Sequence, residues 1–350
     1  SVMDPRVNLG LLWLTVLPGI PLLVFLLRYV TFISGIMVFA LLPLLYAVVQ
    51  RALSVFEIPN LRRRAVFITG CDTGFGNLLA LKCARRGMPV FAGCLTEKGA
   101  EALKIAALGF NMQTFIVDVT SDESVTKAAK YLEQATQKYG GLHGIVNNAG
   151  IVGSTFFDDF LNIEQYREVV EVNTFGAIRV TQALNPLVKK ARGRIVTVSS
   201  GPARLGIIGS GPYTVSMFAV CGYCEVIRQE LRCFGVSVHV IEPGMFRTPM
   251  TCEENIKARA DAMWSKAPTE VKQDYGENFF IESRNKVADA YVRFGSDRVE
   301  HVVNAYFHAL TARFPHLRYQ VGRDCQFLVL PMSYLPTGLR DALFTVAGMV

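Results

Sequence analysis

A glycine-rich turn near residue 70 has the spacing of a loop that binds phosphate groups. It follows a short apolar run and opens a helical pattern, and it reads Thr69-Gly70-Cys71-Asp72-Thr73-Gly74-Phe75-Gly76. Gly70 permits a tight turn, Gly74 lets the backbone approach a pyrophosphate closely, and Gly76 lets the helix pack on the strand. The phosphates then lie at the helix N-terminus, where unpaired N–H groups point outward. The turn therefore predicts a dinucleotide site, with a purely structural turn as the alternative.

Two further groups of residues follow predicted strands and extend this site. Asp118 and Val119 end the third strand, where Asp118 is placed to meet the adenine. The fourth strand ends beside the cofactor in Asn147-Asn148-Ala149-Gly150. Ligands of open α/β sheets bind at the carboxyl ends of the strands, so both groups belong to the predicted site.

The identity of the dinucleotide depends on the charge near the glycine turn and just past the second strand. The 2′-phosphate of NADP usually requires a basic residue in one of these places. The turn carries Asp72 and Thr73, the second strand ends in Cys94-Leu95-Thr96, and Lys98 follows nearby. The sequence therefore favours NAD, with NADP as the alternative.

Alternating strand and helix patterns must position these residues. Short apolar runs occur at 65–69, 89–94, 114–119, 142–147, 193–198 and 235–241. Helical patterns separate them near 75–86, 121–138, 163–190 and 213–233. Such alternation is typical of a parallel sheet that is covered on both faces. We therefore predict an α/β fold, a Rossmann-type doubly wound parallel sheet, over residues 60–250.

After residue 245 the alternation is predicted to stop. Helical patterns occur at 252–266, 285–293 and 297–312, and residues 325–350 form an apolar end. That end is neither long enough nor uniform enough to span a membrane. We assign residues 251–350 to a helical extension that forms the substrate pocket, and its end covers that pocket or rests on the bilayer.

The N-terminus is strongly apolar and predicts a membrane anchor over residues 1–51. The uncharged segments 8–27 and 30–49 each have about 20 residues, enough to cross a hydrocarbon core of roughly 30 Å. Segment 30–49 is predicted to span, whereas 8–27, with two prolines, forms a second span or an interfacial segment. The apolar region is too long for a cleaved signal peptide. The positive charges of Arg51 and Arg62–Arg64 place the folded domain in the cytosol.

The overall composition agrees with an anchored α/β domain. Hydrophobic residues make up 51% of the chain and the mean hydropathy is +0.30, too apolar for an ordinary soluble enzyme. The net charge is +7, but the one tight basic cluster flanks the apolar segment, which favours a membrane surface over nucleic acid. The eight cysteines are scattered, which indicates a reducing compartment. No metal site is predicted, and Cys221-x-x-Cys224 falls inside a predicted helix, so redox chemistry is disfavoured there.

Taken together, the motifs resemble the short-chain dehydrogenase/reductase family over about residues 60–320. The shared elements, in order and spacing, are TGxxxGxG, NNAG, the Asn of Val172-Asn173, a Ser-Ser pair, a Tyr and Pro243-Gly244. Longer stretches are similar to a membrane-associated branch of the family, and these stretches are TGCDTGFG, FAGCLTEKGAEAL and VIEPGMF. That branch holds retinol dehydrogenases, 17β-hydroxysteroid dehydrogenases and 3-hydroxybutyrate dehydrogenase.

The resemblance implies a role for each matching residue. Tyr213 is implied as the acid/base that exchanges a proton with the substrate oxygen. Ser200, in preference to Ser199, is implied to hydrogen-bond the same oxygen and stabilise charge that develops there. Asn173 is implied to hold a water in the proton relay. The residues implied to border the nicotinamide and the phosphates are Pro243, Gly244 and Thr248.

One position departs from the family pattern Tyr-x-x-x-Lys, because the chain reads Tyr213-Thr-Val-Ser-Met217. The spacing puts both side chains on one helical face. The resemblance gives the lysine two tasks, which are to lower the tyrosine pKa from about 10 towards neutrality and to bind the nicotinamide ribose. Methionine has neither charge nor donor. A pKa left roughly two to three units higher corresponds to about 3–4 kcal/mol, or a hundred- to several-thousand-fold lower rate.

Three explanations of Met217 stay open at this point. The chain is an engineered inactive variant, or a natural member that works slowly, at high pH or with a base from elsewhere. In the third explanation it is a pseudoenzyme that binds a nucleotide or a lipid without turnover. The next basic residue along the helix is Arg228, so a local substitute is not expected. Because every other motif element is present, an oxidoreductase is favoured.

A membrane-bound site favours a substrate that partitions into lipid. The loops expected to form the pocket are rich in Phe, Ile, Met and Gly, and they span 151–160, 203–211 and 245–280. These walls favour alcohol oxidation or ketone reduction on a steroid, sterol or retinoid. Arg204 and Arg247 leave 3-hydroxybutyrate open as a substrate, because a short hydroxy acid needs a cationic anchor.

The rival function class is a nucleotide-binding scaffold at a membrane. A transporter or receptor is disfavoured, because about 300 residues follow the pattern of an enzyme. The expected location is the endoplasmic reticulum membrane, with a mitochondrial membrane as the alternative. The resemblance also implies a homodimer that pairs through the helices near 163–190 and 213–233.

Overall fold

The computed structural model describes residues 19–346 in two compact units, which divide between Phe56 and Glu57. The described part of the first unit is a long helix, and the second unit contains the sheet and the helices that cover it. Of the two predicted apolar segments, the part at 8–18 lies outside the described residues.

The N-terminal helix α1 (Gly19–Leu53) is continuous through Arg28 and Tyr29. The described part of segment 8–27 and segment 30–49 therefore lie on one helix, because the leucine-rich sequence on both sides of Arg28 and Tyr29 favours an uninterrupted helix. The stretch Val24–Leu53 has a mean hydropathy of 2.4 and is long and apolar enough to cross a membrane. Its large apolar side chains are exposed, such as Phe39 at 81%. Water is an unfavourable environment for such a surface, so α1 is a candidate membrane anchor.

The second unit is built on a seven-stranded sheet in which every strand is parallel to its neighbours. In chain order the strands are β1 (Val66–Ile68), β2 (Val90–Cys94), β3 (Met112–Ile116), β4 (Gly144–Asn147), β5 (Arg194–Val198), β6 (Ser237–Pro243) and β7 (Arg318–Val321). Their spatial order is β3-β2-β1-β4-β5-β6-β7. The predicted Rossmann-type doubly wound sheet is confirmed. Its strand order reverses between β1 and β4, which opens a crevice at the carboxyl ends of the strands.

Helices cover both faces of this sheet. In chain order they are α2 (Gly74–Arg85), α3 (Glu97–Ala106), α4 (Asp122–Ala135), α5 (Ile163–Val170), α6 (Gly176–Ala191), α7 (Gly211–Glu230), α8 (Glu253–Lys266), α9 (Thr269–Tyr275), α10 (Glu277–Phe294), α11 (Glu300–Thr311), α12 (Leu330–Ser333) and α13 (Thr337–Val346). A π-helical turn, Glu171–Phe175, joins α5 to α6.

Two apolar layers form the core, one on each face of the sheet. The residues of β1 are divided between these layers. Val66 and Ile68 belong to the layer that contains α2 and α11, and Phe67 belongs to the layer that contains α6 and α7. Successive side chains of a strand point to opposite faces, so a strand buried on both faces has no polar positions. The apolar runs of the sequence follow from this geometry.

The alternation of strands and helices does not stop at residue 245. Helix α11 packs on the sheet, and β7 pairs with β6 in parallel as the edge strand. The sequence pattern missed β7 because it has only four residues, of which Tyr319 and Val321 are buried. The sequence pattern also missed α3. The Thr96 side chain caps the start of this helix, because it accepts a hydrogen bond from the Gly99 N–H at 3.0 Å. Part of the predicted extension therefore belongs to the nucleotide-binding fold.

Candidate active site

The turn after β1 has glycine at three positions, and the structure explains each of them differently. Gly70 has a φ of 67°, which glycine adopts without strain, and a Cβ there would lie 2.7 Å from the Cα of Ala149. A Cβ on Gly76 would overlap the Gly70 carbonyl oxygen, so α2 packs against the turn only with glycine at this position. Gly74 has a φ of 65° and open space around it, where a ligand can approach the backbone.

The N-terminus of α2 carries backbone donors that no capping side chain satisfies. Thr73 is at the N-cap position, but its side chain accepts no hydrogen bond, and the first turn has no acidic residue. Helices usually satisfy these N–H groups with a capping side chain, and otherwise the end attracts anions. An uncapped helix end beside the open Gly74 backbone therefore fits the pyrophosphate of a dinucleotide.

Asp72 fixes the glycine turn to the end of β2. Its carboxylate accepts hydrogen bonds from the N–H of Leu95 at 2.8 Å, the N–H of Thr96 at 2.9 Å and the hydroxyl of Thr96 at 2.7 Å. Burial by itself would raise the pKa of Asp72, but these hydrogen bonds hold the pKa below its ordinary value. A carboxylate that stays charged beside the turn repels a further phosphate group.

Thr69 and Asn148 join the end of β4 to the same turn. The Thr69 hydroxyl oxygen accepts the N–H groups of Asn148 at 3.1 Å and Ala149 at 3.0 Å. The Asn148 side-chain amide donates to the carbonyl oxygens of Thr69 at 3.0 Å and Gly70 at 3.1 Å. Its oxygen accepts the hydroxyl of Tyr306, a fully buried side chain on α11, at 3.0 Å. Tyr306 therefore holds the amide that clamps the turn.

Replacing Tyr306 by Phe is expected to weaken NAD binding by about tenfold, because the Asn148 amide oxygen loses its buried donor and the clamp loosens. A matched control is Tyr319→Phe, which removes a hydroxyl that accepts the His316 N–H at 3.0 Å on the edge strand β7. The Kd for NAD and the thermal midpoint of both variants separate the two effects. Equal losses of NAD affinity in both variants would contradict a positioning role for Tyr306.

The other predicted cofactor residues divide between the crevice and the core. Asp118 accepts the N–H of Thr120 at 2.9 Å and so shapes the turn after β3. The Asn147 side chain is 3% exposed, and its amide donates a hydrogen bond to the Thr181 hydroxyl at 2.9 Å. This amide therefore links elements of the protein interior and does not face the crevice. Val119, Ala149 and Gly150 also lie at the carboxyl ends of strands. The Phe75 ring contacts the Phe246 ring edge to face.

Asn173 is in the π-helical turn and its side chain is fully engaged. Its oxygen accepts the Ile151 N–H and its amide donates to the Ile151 carbonyl oxygen, both at 2.8 Å. The same amide donates to the hydroxyl of Ser216 at 3.0 Å, and that hydroxyl donates to the Tyr213 carbonyl oxygen at 2.8 Å. Ser216, which the motif analysis did not single out, therefore joins the π-helical turn to the first turns of α7. π-Helical turns inside α-helices are frequent at functional sites.

Ser200 and Tyr213 lie together, whereas Ser199 faces the interior. The Ser200 hydroxyl lies close enough to the Tyr213 side chain to lower its pKa, and it donates a hydrogen bond at 3.4 Å to the carbonyl oxygen of Pro243. The Ser199 hydroxyl is bonded to the Met217 carbonyl oxygen at 3.3 Å and to the Cys221 thiol at 3.2 Å. Only Ser200 of the pair is therefore placed beside the phenol.

Burial raises the pKa of Tyr213 to about 12. The Ser200 hydroxyl lowers the pKa in part, and the nearby Tyr291 raises it further. No cation of the described residues lowers it. Met217, one turn along α7, is 4% exposed and packs in the apolar layer that also contains Cys221. The methionine is thus a core side chain here, and it supplies no charge to the phenol.

The turn after β6 lies against a carboxylate from the C-terminal region. A Cβ on Gly244 would overlap the carboxylate of Asp324, which accepts the Met245 N–H at 2.5 Å. Thr248 donates its N–H to the Thr251 hydroxyl at 3.0 Å and begins a short turn. The contact of Asp324 with this turn could not be predicted from the sequence, because Asp324 comes about 80 residues after the turn.

An aromatic cluster joins the loops that were predicted to line the pocket. Phe156 and Phe160 pack edge to face at 4.9 Å between ring centroids, and Trp264 stacks on Phe280 at 4.5 Å. Gly209, just before α7, lies against the backbone of Phe156. The cluster therefore fixes loop 151–160 to helices α8 and α10, close to the helix that carries Tyr213.

The two arginines expected as anchors for a short hydroxy acid are neutralised within the protein. Arg204 makes a bidentate ion pair with the buried Glu242 at 3.0 and 3.1 Å. Arg247 donates through one terminal nitrogen to both carboxylate oxygens of Asp297, at 3.0 and 2.9 Å, and through the other to the Val292 carbonyl oxygen. A guanidinium whose terminal nitrogens already have acceptors has little left to offer a second carboxylate.

Comparisons with known proteins agree with the motifs. The sequence model described as short chain dehydrogenase matches residues 64–259. Retinol dehydrogenase 16 of Rattus norvegicus is 42% identical over 287 residues, which cover 82% of this chain and 89% of that protein. The 17-beta-hydroxysteroid dehydrogenase type 6 of Bos taurus is 41% identical over 288 residues, or 82% and 90% of the two chains. The resemblance to this family and branch is thereby confirmed.

A solved structure shares the fold at lower identity. The short chain dehydrogenase/reductase from Burkholderia phymatum, crystallised in complex with NAD, superposes with a TM-score of 0.62 at 21% identity. The match covers 80% of this chain and 95% of that one. It supports the arrangement of the sheet and helices.

Proposed function

The chain belongs to the short-chain dehydrogenase/reductase family of oxidoreductases, and from this premise we propose that it interconverts a hydroxyl and a carbonyl group on a lipophilic substrate. A nicotinamide cofactor follows from the family, and we propose NAD as the preferred one. The substrate class that we propose is a steroid, sterol or retinoid. The names of the relatives, among them a retinol dehydrogenase and a hydroxysteroid dehydrogenase, support this choice.

The proposal rests on one observation, the meeting of two hydroxyl groups at the edge of the sheet where the glycine turn also lies. Ser200 follows β5, Tyr213 is on the first turn of α7, and the Ser200 hydroxyl touches both Tyr213 and the last residue of β6. Because all strands are parallel, the carboxyl ends of β1, β4, β5 and β6 share this edge. An acid/base and a hydrogen-bond donor thus share one edge with a dinucleotide site.

The proton chemistry belongs to the chain's own residues. Bound NAD or NADH would accept or supply the hydride. In oxidation, the Tyr213 oxygen takes the proton of the substrate hydroxyl, and the Ser200 hydroxyl donates a hydrogen bond to the same substrate oxygen. In reduction, Tyr213 returns that proton. Because the Asn173 side chain is occupied by Ile151 and Ser216, the water of the relay would be held by the Asn173 carbonyl oxygen in the π-helical turn.

The preference for NAD is supported by Asp72. This carboxylate lies where the glycine turn meets the end of β2, and its depressed pKa keeps it charged at neutral pH. NADP would bring a further phosphate towards this negative charge. The uncapped N-terminus of α2 and the open backbone at Gly74 are compatible with either cofactor.

The lipophilic substrate is supported by the aromatic cluster of loop 151–160 and helices α8 and α10. The backbone of Phe156 in this cluster lies against Gly209, which comes just before the helix that carries Tyr213. The ion pairs of Arg204 and Arg247 disfavour 3-hydroxybutyrate, since neither guanidinium is free to anchor a short acid.

The helix α1 supports a membrane location for the enzyme, and we place it in the endoplasmic reticulum membrane with the catalytic unit facing the cytosol. Arg51 and Arg62–Arg64 follow the apolar stretch and favour this orientation. A mitochondrial membrane is the alternative location. A homodimer is supported by exposed apolar side chains along the π-helical turn and α7, including Phe175, Phe218 and Val226.

A second candidate function is nucleotide binding without turnover, and Met217 favours it. The side chain that would depress the Tyr213 pKa is absent, and the pKa of about 12 leaves very little phenolate at neutral pH. Saturable NAD binding with no product from any lipophilic alcohol would support this second function.

The pH dependence of turnover tests the proposed function. Alcohol oxidation needs the Tyr213 phenolate, and a pKa of about 12 makes the phenolate fraction rise tenfold with each pH unit up to that value. Ketone reduction needs the neutral phenol, which predominates throughout, so its rate should stay flat. The measurement is NADH formation and consumption by detergent-solubilised protein, with retinol and hydroxysteroids and their carbonyl forms. Oxidation that is flat with pH would contradict the role of Tyr213.

A further inference from the structure

Basic side chains gather at the amino edge of the sheet, where the strands begin and the helices that lead into them end. Exposed members of this group precede β1 or lie at or just after the ends of α6, α7 and α11, and they are Arg62, Arg63, Lys190, Arg192, Arg232 and Arg313. Among residues 19–346, none of them has a carboxylate within ion-pair distance. Of the carboxylates at this edge, Glu57 is paired with Arg86 at 2.6 Å, and Glu133 and Glu230 lie in the last turns of α4 and α7.

Backbone and side-chain contacts join these positions into one surface. A Cβ on Gly235, in the turn after α7, would lie 3.5 Å from the Arg192 side chain at the end of α6. The Arg194 guanidinium, at the start of β5, donates to the Ala312 carbonyl oxygen at the end of α11 at 2.7 Å. The Arg194 N–H donates to the His143 carbonyl oxygen at 2.7 Å, and the His143 N–H donates to the residue before β1 at 2.8 Å. The basic residues therefore surround one continuous edge of the sheet.

The helix dipole explains only part of this charge pattern. A cation such as Lys190 in the last turn of α6 complements the dipole of its own helix. Arg62 and Arg63 instead come directly before a strand, where no long helix ends. The helices begin at the opposite edge with acidic residues, among them Glu97, Asp122 and Glu300. The two edges of the sheet therefore differ in charge, and the amino edge is the positive one.

Exposed apolar side chains lie between the basic residues of this edge. Phe234 is 48% exposed, and the Lys189 ammonium lies 3.9 Å from the centre of its ring. Phe314 and Leu317, which follow α11, are 42% and 52% exposed. Aromatic rings beside lysine and arginine are typical of the boundary between a membrane and water, because the ring is apolar and the cation meets the headgroups.

The chain itself keeps this edge close to the end of the apolar helix α1. The apolar stretch ends at Leu53, and Glu57 already pairs with Ala312 at the amino edge in an antiparallel bridge. Four Cα–Cα steps separate Leu53 from Glu57, so the chain can extend over at most about 15 Å. Val55 and Phe56 between them are also exposed, at 74% and 52%. If α1 crosses a bilayer, the amino edge is held within reach of its headgroups.

We propose that the amino edge of the sheet binds the headgroups of anionic phospholipids in the membrane that α1 crosses. The potential of an anionic membrane surface attracts lysine and arginine, but it decays over about 8 Å at physiological salt, so only a patch held near the bilayer can use it. The short connection to α1 holds the patch there. Nucleic acid also attracts basic residues, but the exposed Phe234, Phe314 and Leu317 and the connection to α1 favour a bilayer. This inference goes beyond the proposed reaction and rests only on the proposed membrane location.

Cys233 provides a reporter, because it lies between Arg232 and Phe234 and is exposed. The full-length protein is incorporated into nanodiscs of phosphatidylcholine alone or with about 30% phosphatidylserine, the lipid that gives the cytoplasmic leaflet its charge. An uncharged polyethylene glycol maleimide then modifies the protein, and mass spectrometry follows Cys233 and, as an internal reference, the partly exposed Cys252 before α8. Phosphatidylserine should slow the modification of Cys233 at least about fivefold and leave Cys252 nearly unchanged.

A triple variant removes charge from the patch without removing a hydrogen bond of the described side chains. Each basic residue near an anionic surface strengthens binding by about fivefold, so Arg63→Gln, Lys190→Gln and Arg313→Gln together should abolish the effect of phosphatidylserine on Cys233. The matched control combines Lys127→Gln, Lys266→Gln and Lys286→Gln, which remove the same charge from exposed positions on α4, α8 and α10. It should keep the full effect. Raising the salt to about 0.5 M should weaken the effect in the unmodified protein.

Equal modification rates of Cys233 in the two kinds of nanodisc overturn the inference, and so does a lipid effect that persists in the triple variant. Protection of Cys233 by added duplex DNA or RNA, without protection by phosphatidylserine, would also overturn it and assign the patch to nucleic acid. Co-elution of the protein with the nanodiscs is measured separately. A chain that does not incorporate overturns the membrane location and this inference with it, whereas an incorporated chain with equal rates overturns this inference alone. Neither outcome bears on the proposed reaction, which is read from product formation.

Discussion

A Met217→Lys variant is expected to oxidise a lipophilic alcohol at least about a hundredfold faster at neutral pH than the chain with Met217. Position 217 lies one turn after Tyr213 on α7, so an ammonium there shares the helical face of the phenol. Tyr213 has a pKa of about 12 and no cation of the described residues that lowers it. A depression of roughly two to three units corresponds to about 3–4 kcal/mol in favour of the phenolate.

The pH profile distinguishes this electrostatic effect from a change in folding. In the chain with Met217, and equally in the uncharged comparison variant Met217→Leu, the oxidation rate should climb throughout the alkaline range. In Met217→Lys the rise should level off at a lower pH, because the phenolate then forms earlier. Position 217 is 4% exposed, so NAD affinity and the thermal midpoint must be measured for each variant. A folded Met217→Lys protein that binds NAD and gains no activity would contradict the role assigned to the missing charge.

The sequence predicted the glycine turn well because its constraints are local. Gly70 and Gly76 are required by backbone contacts within a few residues of the turn and by the neighbouring strand end, and the pattern of strand, glycines and helix encodes both. The same holds for the strands buried on both faces, whose uninterrupted apolar runs reveal them.

The residues that the sequence could not assign are those whose partners are distant along the chain. Tyr306 meets Asn148 across 158 positions, and Asp324 meets the Met245 N–H across 79. Neither residue belongs to a recognisable sequence motif. The residues next to a buried tyrosine or a single aspartate do not reveal which distant group it contacts.

Distance along the chain also explains why the sequence pattern does not predict β7. Within residues 251–350, α11 supplies Tyr306 to the glycine turn, and β7 completes the sheet. Through α11 the region therefore contributes to the proposed cofactor site, and its helices α8 and α10 pack on loop 151–160. One consequence is that substitutions on α11 should change cofactor affinity.

Tyr213→Phe is expected to remove the gain that Met217→Lys provides. In the Met217→Lys background the loss of the phenol should lower turnover by about 10²- to 10⁴-fold, the range typical of a general acid/base. If the ammonium acts through the phenol, the double variant should be no faster than Tyr213→Phe alone, since residues that act as a unit are not additive. The measurement is kcat for one lipophilic alcohol in all four combinations, with the Kd for NAD in each.

Tyr223→Phe is the control for this cycle, because Tyr223 is on the same helix and packs on the same apolar layer, and the hydroxyl that lowers its pKa is that of Thr181 and not that of Ser200. It should cost stability and leave the gain from Met217→Lys in place. A gain that survives in the double variant with Tyr213→Phe would show that the ammonium acts on the cofactor alone. In that case the base of the reaction would have to be sought outside Tyr213, and the proximity of Ser200 to Tyr213 would be structural.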